Sequence, residues 1–258
     1  MKSLRPLLLV LVLLLALPVC SRSQGEPSTL IAGVSNFPPF SWQRDGRWQG
    51  MNIDYYQALA AESGLALNFR ELHRSRGLES IKSGECTIIA DISTTAETAS
   101  THFLGPYAFA EMVLVVHKDD VGVAIGNLQQ LITQMRARGL QVGIRDNTDY
   151  GAEFNLRLEK DPAFRANFAF NDTVMAEMVS KRRLFASIEQ KPLARYRIRN
   201  LAEYADLAIH PFTVNRTPLY LAVSKTVPPG IVARLEHAAA VLSSNGTFAA
   251  IQSSWTDR

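Results

Sequence analysis

Short apolar runs alternate along the chain with longer stretches whose apolar residues recur at helical spacing. The runs at 30–34 and 87–90 predict buried strands, because they are short, continuous and bounded by polar or turn-forming residues. The stretch after Gly50-Met51-Asn52-Ile53 predicts a helix that starts at Asp54 and ends at Gly64, with the Asp54 carboxylate capping the helix or stabilising its first turn. Strands that alternate with helices indicate an α/β protein with mainly parallel sheets.

The same alternation continues to the C-terminus, with a polar break at 117–120 after an apolar run at 112–116. The further strands that we expect lie at 65–72, 141–144, 168–170, 184–188, 208–210 and 219–223. The further helices lie at 78–83, at 128–138, after a turn at 145–149, at 172–179, at 231–242 and up to Trp255.

The N-terminus has the features of a secretion signal. Two basic residues precede the apolar segment 7–17, which is too short to span a bilayer comfortably. Small residues follow it, and we expect cleavage near Ser23 and a periplasmic protein. Lipidation of Cys20 is the alternative, although Val19 stands where a lipoprotein signal usually has a smaller residue.

Composition narrows the functional classes. Three of the 27 Lys and Arg residues lie in the signal segment, so 24 basic residues remain beside 24 acidic ones and the exported chain is near neutral. Without clustered Lys and Arg we expect no nucleic-acid partner. The five histidines are scattered, which predicts no metal site and no cofactor. Cys86 alone remains after cleavage, so we expect a small buried residue rather than a disulfide.

The order of several motifs carries a family resemblance. Phe-Pro-Pro-Phe at 37–40 precedes Gly-Met-Asn-Ile-Asp at 50–54, Ser-Thr-Thr-Ala-Glu-Thr at 93–98 and Phe-Leu-Gly-Pro-Tyr at 103–107. This order resembles the first lobe of the bacterial extracellular solute-binding proteins of family 3, most of which serve amino-acid ABC transporters. The segment 220–225, Asn245-Gly246-Thr247 and Trp255 resemble that family's return to its first lobe.

The resemblance implies a two-lobed periplasmic-binding-protein fold of type II-like topology. Each lobe would be a mainly parallel sheet flanked by helices, and a small ligand would bind in the cleft between the lobes. We expect chain crossings near 117–118 and 212–217, and a monomer. The expected division is a signal peptide at 1–23, lobe 1 at 24–117, lobe 2 at 118–213 and a return to lobe 1 at 214–258.

The first-lobe part of the site follows from the same resemblance. It implies that Phe37 stacks on the ligand, while Phe40 lies in the core; the alternative is that both rings pack beneath the cleft. Ser93 and Thr95 resemble the residues that hold a ligand carboxylate. Thr98 stands where the family usually has an arginine, and replacing that charged contact by a neutral one costs more than about 1 kcal/mol.

The ammonium end of the usual amino-acid clamp is also altered. Gln190 stands where family members commonly carry an acidic side chain in the second lobe, and Val34 stands where some carry another. The standard clamp for an α-amino acid is therefore missing at both ends.

Two arginines could offset this loss. Arg74 and Arg145 would face the cleft from opposite lobes and suit a dianion or an acidic side chain. The alternative places Arg74 on a surface loop and pairs Arg145 with Asp146 or Asp149. Thr148 and Asp149, at a helix start, could supply backbone donors, and Asp149 near Gln190 could still accept an ammonium group.

The resulting expectation is a binding protein that is not an enzyme. It would capture a small polar or anionic solute, amino-acid-like or a carboxylate, and present it to an ABC permease. A stand-alone sensory or accessory protein, whose partner is a membrane sensor, is the second possibility. A dehydratase acting on cyclic carboxylates is the third, with Glu189 as general acid; no G-x-S-x-G, HExxH or P-loop motif supports other chemistry.

Overall fold

The computed structural model describes residues 29–93, 101–145, 148–160, 164, 166–168 and 172–256. The strands are β1 (Thr29–Val34), β2 (Trp42–Arg44), β3 (Arg47–Gln49), β4 (Ala66–Glu71), β5 (Ile88–Ile92), β6 (His102–His117), β7 (Val142–Ile144), β8 (Ala166–Phe168), β9 (Ala186–Gln190) and β10 (Leu207–Val223). The helices are α1 (Met51–Ser63), α2 (Gly77–Ser83), α3 (Leu128–Arg138), α4 (Ala152–Lys160), α5 (Asp172–Ser180), α6 (Lys191–Asn200), α7 (Pro229–Ser244) and α8 (Thr247–Thr256). Short 3₁₀ turns lie at Arg74–Arg76, Lys118–Asp120 and Ala202–Tyr204.

Eight of these strands form one hydrogen-bonded sheet in the order β4-β1-β5-β10-β6-β9-β7-β8. At one end, β1 runs parallel to β4 and β5. At the other, β7 runs parallel to β8 and β9. The two long strands β6 and β10 are antiparallel to each other and to their outer neighbours, so they join two parallel layers. Helices flank both layers, as the α/β expectation required.

Separate cores lie at the two ends of the sheet. On β6, Leu104 and Ala108 belong to a core that α1, α7 and α8 share. Met112 and Leu114 of the same strand belong to another core, with residues of α3, α4 and β7. The strand β6 therefore passes from one half to the other between Ala108 and Met112, several residues before the crossing expected at 117–118.

The strand β10 makes the return passage. Its residues Phe212 and Val214 pack against the second core, and Leu219 and Leu221 lie in the first. The sequence predicted two short strands, at 208–210 and 219–223, where the structure has one strand of 17 residues. The polar residues between them are exposed or half-buried, so they do not contribute to a hydrophobic pattern. Their backbone nevertheless continues the hydrogen-bonded ladder with β6.

The first helix begins at Met51, three residues before the predicted start, and ends where predicted. Gly64 adopts a left-handed conformation with φ of 66°, and its N–H donates to the carbonyl oxygens of Ala60 and Ala61. Asp54 lies in the first turn of this helix, as expected for a carboxylate that favours the helix dipole. Gly50 and not Asp54 holds the cap position, and the Asp54 carboxylate also accepts a hydrogen bond of 2.8 Å from the indole of Trp255 in α8.

Cys86 lies in the first half, between α2 and β5, and is fully buried. Burial raises the pKa of its thiol, and the thiol forms no disulfide within the described residues. The expectation of a small buried residue is confirmed. Among the described residues, no helix has both the length and the apolar character that crossing a bilayer requires.

A tight turn at 37–40 is held against the start of α1. The Met51 N–H donates to the Pro39 carbonyl at 2.9 Å, and the Asn52 N–H donates to the Phe40 carbonyl at 2.8 Å. Between them, Gly50 has a φ of 130°, and a Cβ there would lie 2.5 Å from the Phe40 carbonyl oxygen. A glycine is therefore required both by conformation and by space.

The substitution Gly50→Ala tests this junction. We expect it to lower the free energy of unfolding by at least about 2 kcal/mol, because the backbone must shift away from Phe40. Gly46→Ala is the matched control: Gly46 also has a positive φ, 72°, but nothing lies within 4 Å of the position that an added methyl group would occupy. The control should cost about 1 kcal/mol. Equal urea midpoints for the two variants would contradict the argument.

Candidate functional site

Two adjoining cavities lie along the edge where β1, β5, β7 and β9 end. The larger, of about 440 Å³, belongs to the first half and lies among the turn at 37–40, the start of α1, the segment 72–78 and the end of β5. The smaller, of about 60 Å³, lies between the halves. Phe37 lines both, so it forms the shared wall.

Phe37 occupies this wall through stacking on its neighbour. Its ring lies 5.5 Å from that of Phe40, with an angle of 7° between the planes. Phe40 is a core residue, 3% exposed, as expected, whereas Phe37 is half-buried. The pair places one aromatic surface at the boundary of the two cavities, and its contact with a ligand stays a prediction.

Side chains from the second half surround the smaller cavity. Arg145 follows β7, and its backbone N–H donates to the Tyr150 hydroxyl at 2.7 Å. Thr148 lines the same cavity, as does Gln190 at the end of β9. Gln190 occupies the position before α6 without capping that helix through its side chain. The structure therefore brings together four of the residues that the sequence selected: Phe37, Arg145, Thr148 and Gln190.

Asp149 lies elsewhere. Its side chain is exposed, and Oδ1 accepts hydrogen bonds from the Gly151 N–H at 2.8 Å and from the Asn155 amide at 3.0 Å. These contacts fix the turn that starts α4, so the side chain stabilises the start of that helix. The structure gives no support to Asp149 as an acceptor for a ligand ammonium group.

The remaining predicted residues are only partly described. Ser93 directly follows β5 and is half-buried. Thr95 and Thr98 lie outside the described residues. The backbone of Arg74 lies in the 3₁₀ turn beside the larger cavity, and its side chain is likewise outside the description. Their roles stay predictions.

Sequence reasoning missed Asp91, which lies at the end of β5 and lines the larger cavity. The amide of Asn52 donates to Oδ2 of Asp91 at 2.8 Å, and the Tyr107 hydroxyl donates to Oδ1 at 3.3 Å. The backbone N–H of Asp91 donates back to that hydroxyl at 3.0 Å. Asp91 has a φ of 61°, a conformation that Asp and Asn tolerate better than most residues. An acidic residue directly after a buried strand was the available signal.

Tyrosine hydroxyls brace this end of β5. Tyr56 accepts from the Ala90 N–H at 2.6 Å and donates to the Gly33 carbonyl at 3.1 Å. Burial, and then the charge of Asp91, raises the pKa of Tyr56 and of Tyr107 well above the usual range. Both hydroxyls therefore stay protonated, and their hydrogens are directed to protein acceptors.

Glu189, the residue selected as a general acid, is held in a buried network. It is 4% exposed, and Oε2 accepts a hydrogen bond of 2.8 Å from the guanidinium of Arg197. Oε1 accepts from the Tyr204 hydroxyl at 2.9 Å and from the Ser187 hydroxyl at 3.0 Å. A cation and two hydroxyls therefore donate to this carboxylate. The arrangement suits a structural ion pair beneath the smaller cavity.

A second charged group lies where β6 passes between the halves. Glu111 contacts Lys191, the first residue of α6, at 3.0 Å and Arg216 of β10 at 3.6 Å. The guanidinium of Arg216 lies 3.9 Å from the centre of the Phe109 ring. The pairs are partly exposed and individually weak, but they connect both long strands to the helix that follows Gln190.

Among the described residues, no three His, Cys, Asp or Glu side chains are grouped in a way that could hold a metal ion. The site as described consists of an aromatic wall, Asp91 in the first half, and Arg145 with the Glu189–Arg197 ion pair in the second.

The comparisons with known proteins identify the family. The family model of the bacterial extracellular solute-binding proteins, family 3, matches residues 30–258. The chain belongs to this family. It is 28% identical over 123 residues to the "Probable amino-acid-binding protein YxeM" of Bacillus subtilis (strain 168), a match covering 45% of this chain. That match spans about half of the relative's length, 47%.

Solved structures share the fold. An ancestral cationic amino acid solute-binding protein is 22% identical, with a TM-score of 0.68, and the match covers 89% of this chain and 96% of the other. A histidine kinase sensor domain with similarity to periplasmic binding proteins is 18% identical, with a TM-score of 0.65 and the same coverages of 89% and 96%. At these identities the likeness shows the two-lobed fold and not the ligand.

The ion pair beneath the cleft gives a stability prediction. Arg197→Met should cost about 3–5 kcal/mol, because Glu189 would keep a buried charge without its cation. The double variant Arg197→Met/Glu189→Leu should recover most of that loss. Lys181→Met is the control, since its pair with Glu177 is 59% and 50% exposed and should contribute less than about 1 kcal/mol. Denaturant unfolding measures the free energy of unfolding of all three variants. A loss of less than about 1 kcal/mol in Arg197→Met would contradict a structural role for the Glu189–Arg197 pair.

Proposed function

We propose that the protein is exported to the periplasm, captures a small amino-acid-like or carboxylate solute between its two halves and delivers it to an ABC permease. One observation carries the proposal: Phe37 of the first half meets Arg145, Thr148 and Gln190 of the second around one cavity. Residues from both halves at one site allow a ligand to favour the closed arrangement. Membership of the solute-binding family supports the same function.

Arg145 gives the site its affinity for a carboxylate. It follows β7 at the carboxyl edge of a parallel layer, where ligands of open α/β folds usually bind. A guanidinium can donate two hydrogen bonds to one carboxylate. Thr98 cannot supply that interaction from the first half, so Arg145 is the residue we assign to it.

Export is proposed from the N-terminal segment. The apolar stretch 7–17, with its basic start and small residues near 23, fits a cleaved signal. An exported binding protein hands its bound solute to a membrane partner.

A sensory role is the second candidate, because a histidine kinase sensor domain shares this fold. In that case the closed protein would contact a membrane receptor instead of a permease. Co-purification from membranes in the presence of ligand separates the two: a permease complex supports transport, and a receptor complex supports sensing. An enzyme is not proposed, since the carboxylate selected for acid catalysis is held by Arg197.

A thermal-shift screen of the purified protein against amino acids, dicarboxylates, aromatic acids and polyamines tests the binding function. A ligand at roughly 100 times its Kd adds about 2.7 kcal/mol of stability, which moves the melting temperature visibly. Arg145→Ala should weaken binding of the ligand found in this screen by about 1.5–3 kcal/mol. Arg199→Ala, at an exposed position on α6, is the matched control. Equal affinities of both variants would remove Arg145 from the site.

The aromatic wall is tested by titration calorimetry with the same ligand. Phe37→Ala should raise the Kd by about tenfold or more, because stacked aromatic surface is lost. Phe40→Leu, which alters the core beneath it, should change binding much less. A larger effect of Phe40→Leu would show that the pair supports the fold and does not contact ligand.

A further inference from the structure

We propose that the contact between Trp42 and Tyr196 fixes the separation of the two walls of the smaller cavity. Neither residue lines this cavity or the larger one, so both are positioning residues that act through the elements carrying them. Only the meaning of the cavity as a solute site rests on the proposed function, because the contact itself is measurable without a solute.

Trp42 is coupled to the first wall, which Phe37 forms. Ser41, directly before Trp42, pairs with Phe37 in an antiparallel bridge. The Phe37 N–H donates to the Ser41 carbonyl at 2.6 Å, and the Ser41 N–H donates to the Phe37 carbonyl at 3.1 Å. The two residues exchange both backbone hydrogen bonds, so the backbone at Trp42 is held at a fixed position relative to this wall.

Tyr196 is coupled to the second wall, because it lies on α6. This helix follows directly from Gln190 and carries Leu193 and Arg197, and these three residues all line the smaller cavity. Tyr196 comes three residues after Leu193, so the two side chains are neighbours on the surface of the helix. A displacement of Tyr196 therefore displaces the wall of the second half.

The helix α6 packs on both halves of the molecule. Ala194 and Ile198 belong to a core of the second half, together with residues of β6 and α5. Leu193, 7% exposed, belongs instead to the core of the first half. Any change in the separation of the halves must therefore move α6 against one of its two cores.

The ring contact joins the two halves directly. The centres of the Trp42 and Tyr196 rings lie 6.0 Å apart, with an angle of 52° between the planes. On the side of the first half, Trp255 packs edge to face on Trp42 at 5.8 Å, and the Trp255 indole is held by its hydrogen bond to Asp54. Aromatic rings at such distances attract each other beyond the burial of their surface, so the contact favours the described separation over a wider one.

A second attachment lies at the start of α6. Lys191 contacts Glu111 at 3.0 Å, where β6 passes between the halves. Tyr196 lies five residues further along, which is about 7.5 Å along the helix axis. Because α6 is held at its start by the passage strand and further along by Trp42, its direction as well as its position is set by residues outside the second half's own core.

Pulsed EPR distances between two spin labels test the proposal in the absence of any solute. The labels are attached at Ala61→Cys on α1 and Ala137→Cys on α3, two exposed positions that lie on different halves. Cys20 is replaced by Ser, and Cys86 is fully buried and so does not compete for the label. The distribution of label distances then reports on the arrangement of the halves.

We expect Tyr196→Ala to raise the population of other arrangements of the halves by roughly twofold to tenfold, which corresponds to the loss of one aromatic pair. The distribution of label distances should broaden accordingly. Trp42→Leu removes the same contact from the other side and should have the same effect. Tyr196→Phe keeps the ring and should match the wild-type protein.

Tyr220→Ala is the matched control, because it removes a ring contact within the first half, with Phe103 at 5.8 Å. Broadening in Tyr196→Ala and Trp42→Leu but not in Tyr220→Ala supports the proposal. Wild-type distributions in both contact variants, or equal broadening in the control, would overturn it. A failed solute screen would overturn the proposed function and leave the measured distances unaffected.

Discussion

The antiparallel pairing of β6 with β10 is the constraint on which the rest of the structure depends. These strands have 16 and 17 residues and take part in both cores, so the two halves share a backbone ladder. Each half completes its own parallel layer on one side of this pair. The strand ends that carry Asp91 and Gln190 therefore face a common cleft, and relative movement of the halves must be absorbed where the strands pass between the cores.

Two carboxylates near the cleft, Glu189 and Asp91, are held by different kinds of donor. Glu189 has a guanidinium and two hydroxyls as donors, and its network lies within a well-packed core. Asp91 has a neutral amide and a neutral hydroxyl among its described donors, beside an open cavity. A buried carboxylate paired with an arginine stabilises a fold only when both partners stay in place.

The hydrophobic pattern was enough to predict the fold class and the helix that ends at Gly64, because these depend on burial and local conformation. The core position of Phe40 came from the family resemblance. The hydrophobic pattern could not reveal the length of β10. The polar residues in the middle of that strand are held by hydrogen bonds to β6, and such backbone pairing leaves no mark on the sequence pattern. For the site, the resemblance selected Arg145 and Gln190 by position. Asp91 was missed because its importance comes from Asn52, 39 residues earlier, which only the packing of α1 on β5 places beside it.

An amino-acid-like solute carries opposite charges, and a two-lobed site holds it by presenting an acid and a base on different halves. Losing one of the two charges leaves one end of the solute desolvated without compensation, which costs binding free energy. With Thr98 and Gln190 at the two positions of the usual clamp, Arg145 is the charged residue that we propose for the carboxylate of the solute.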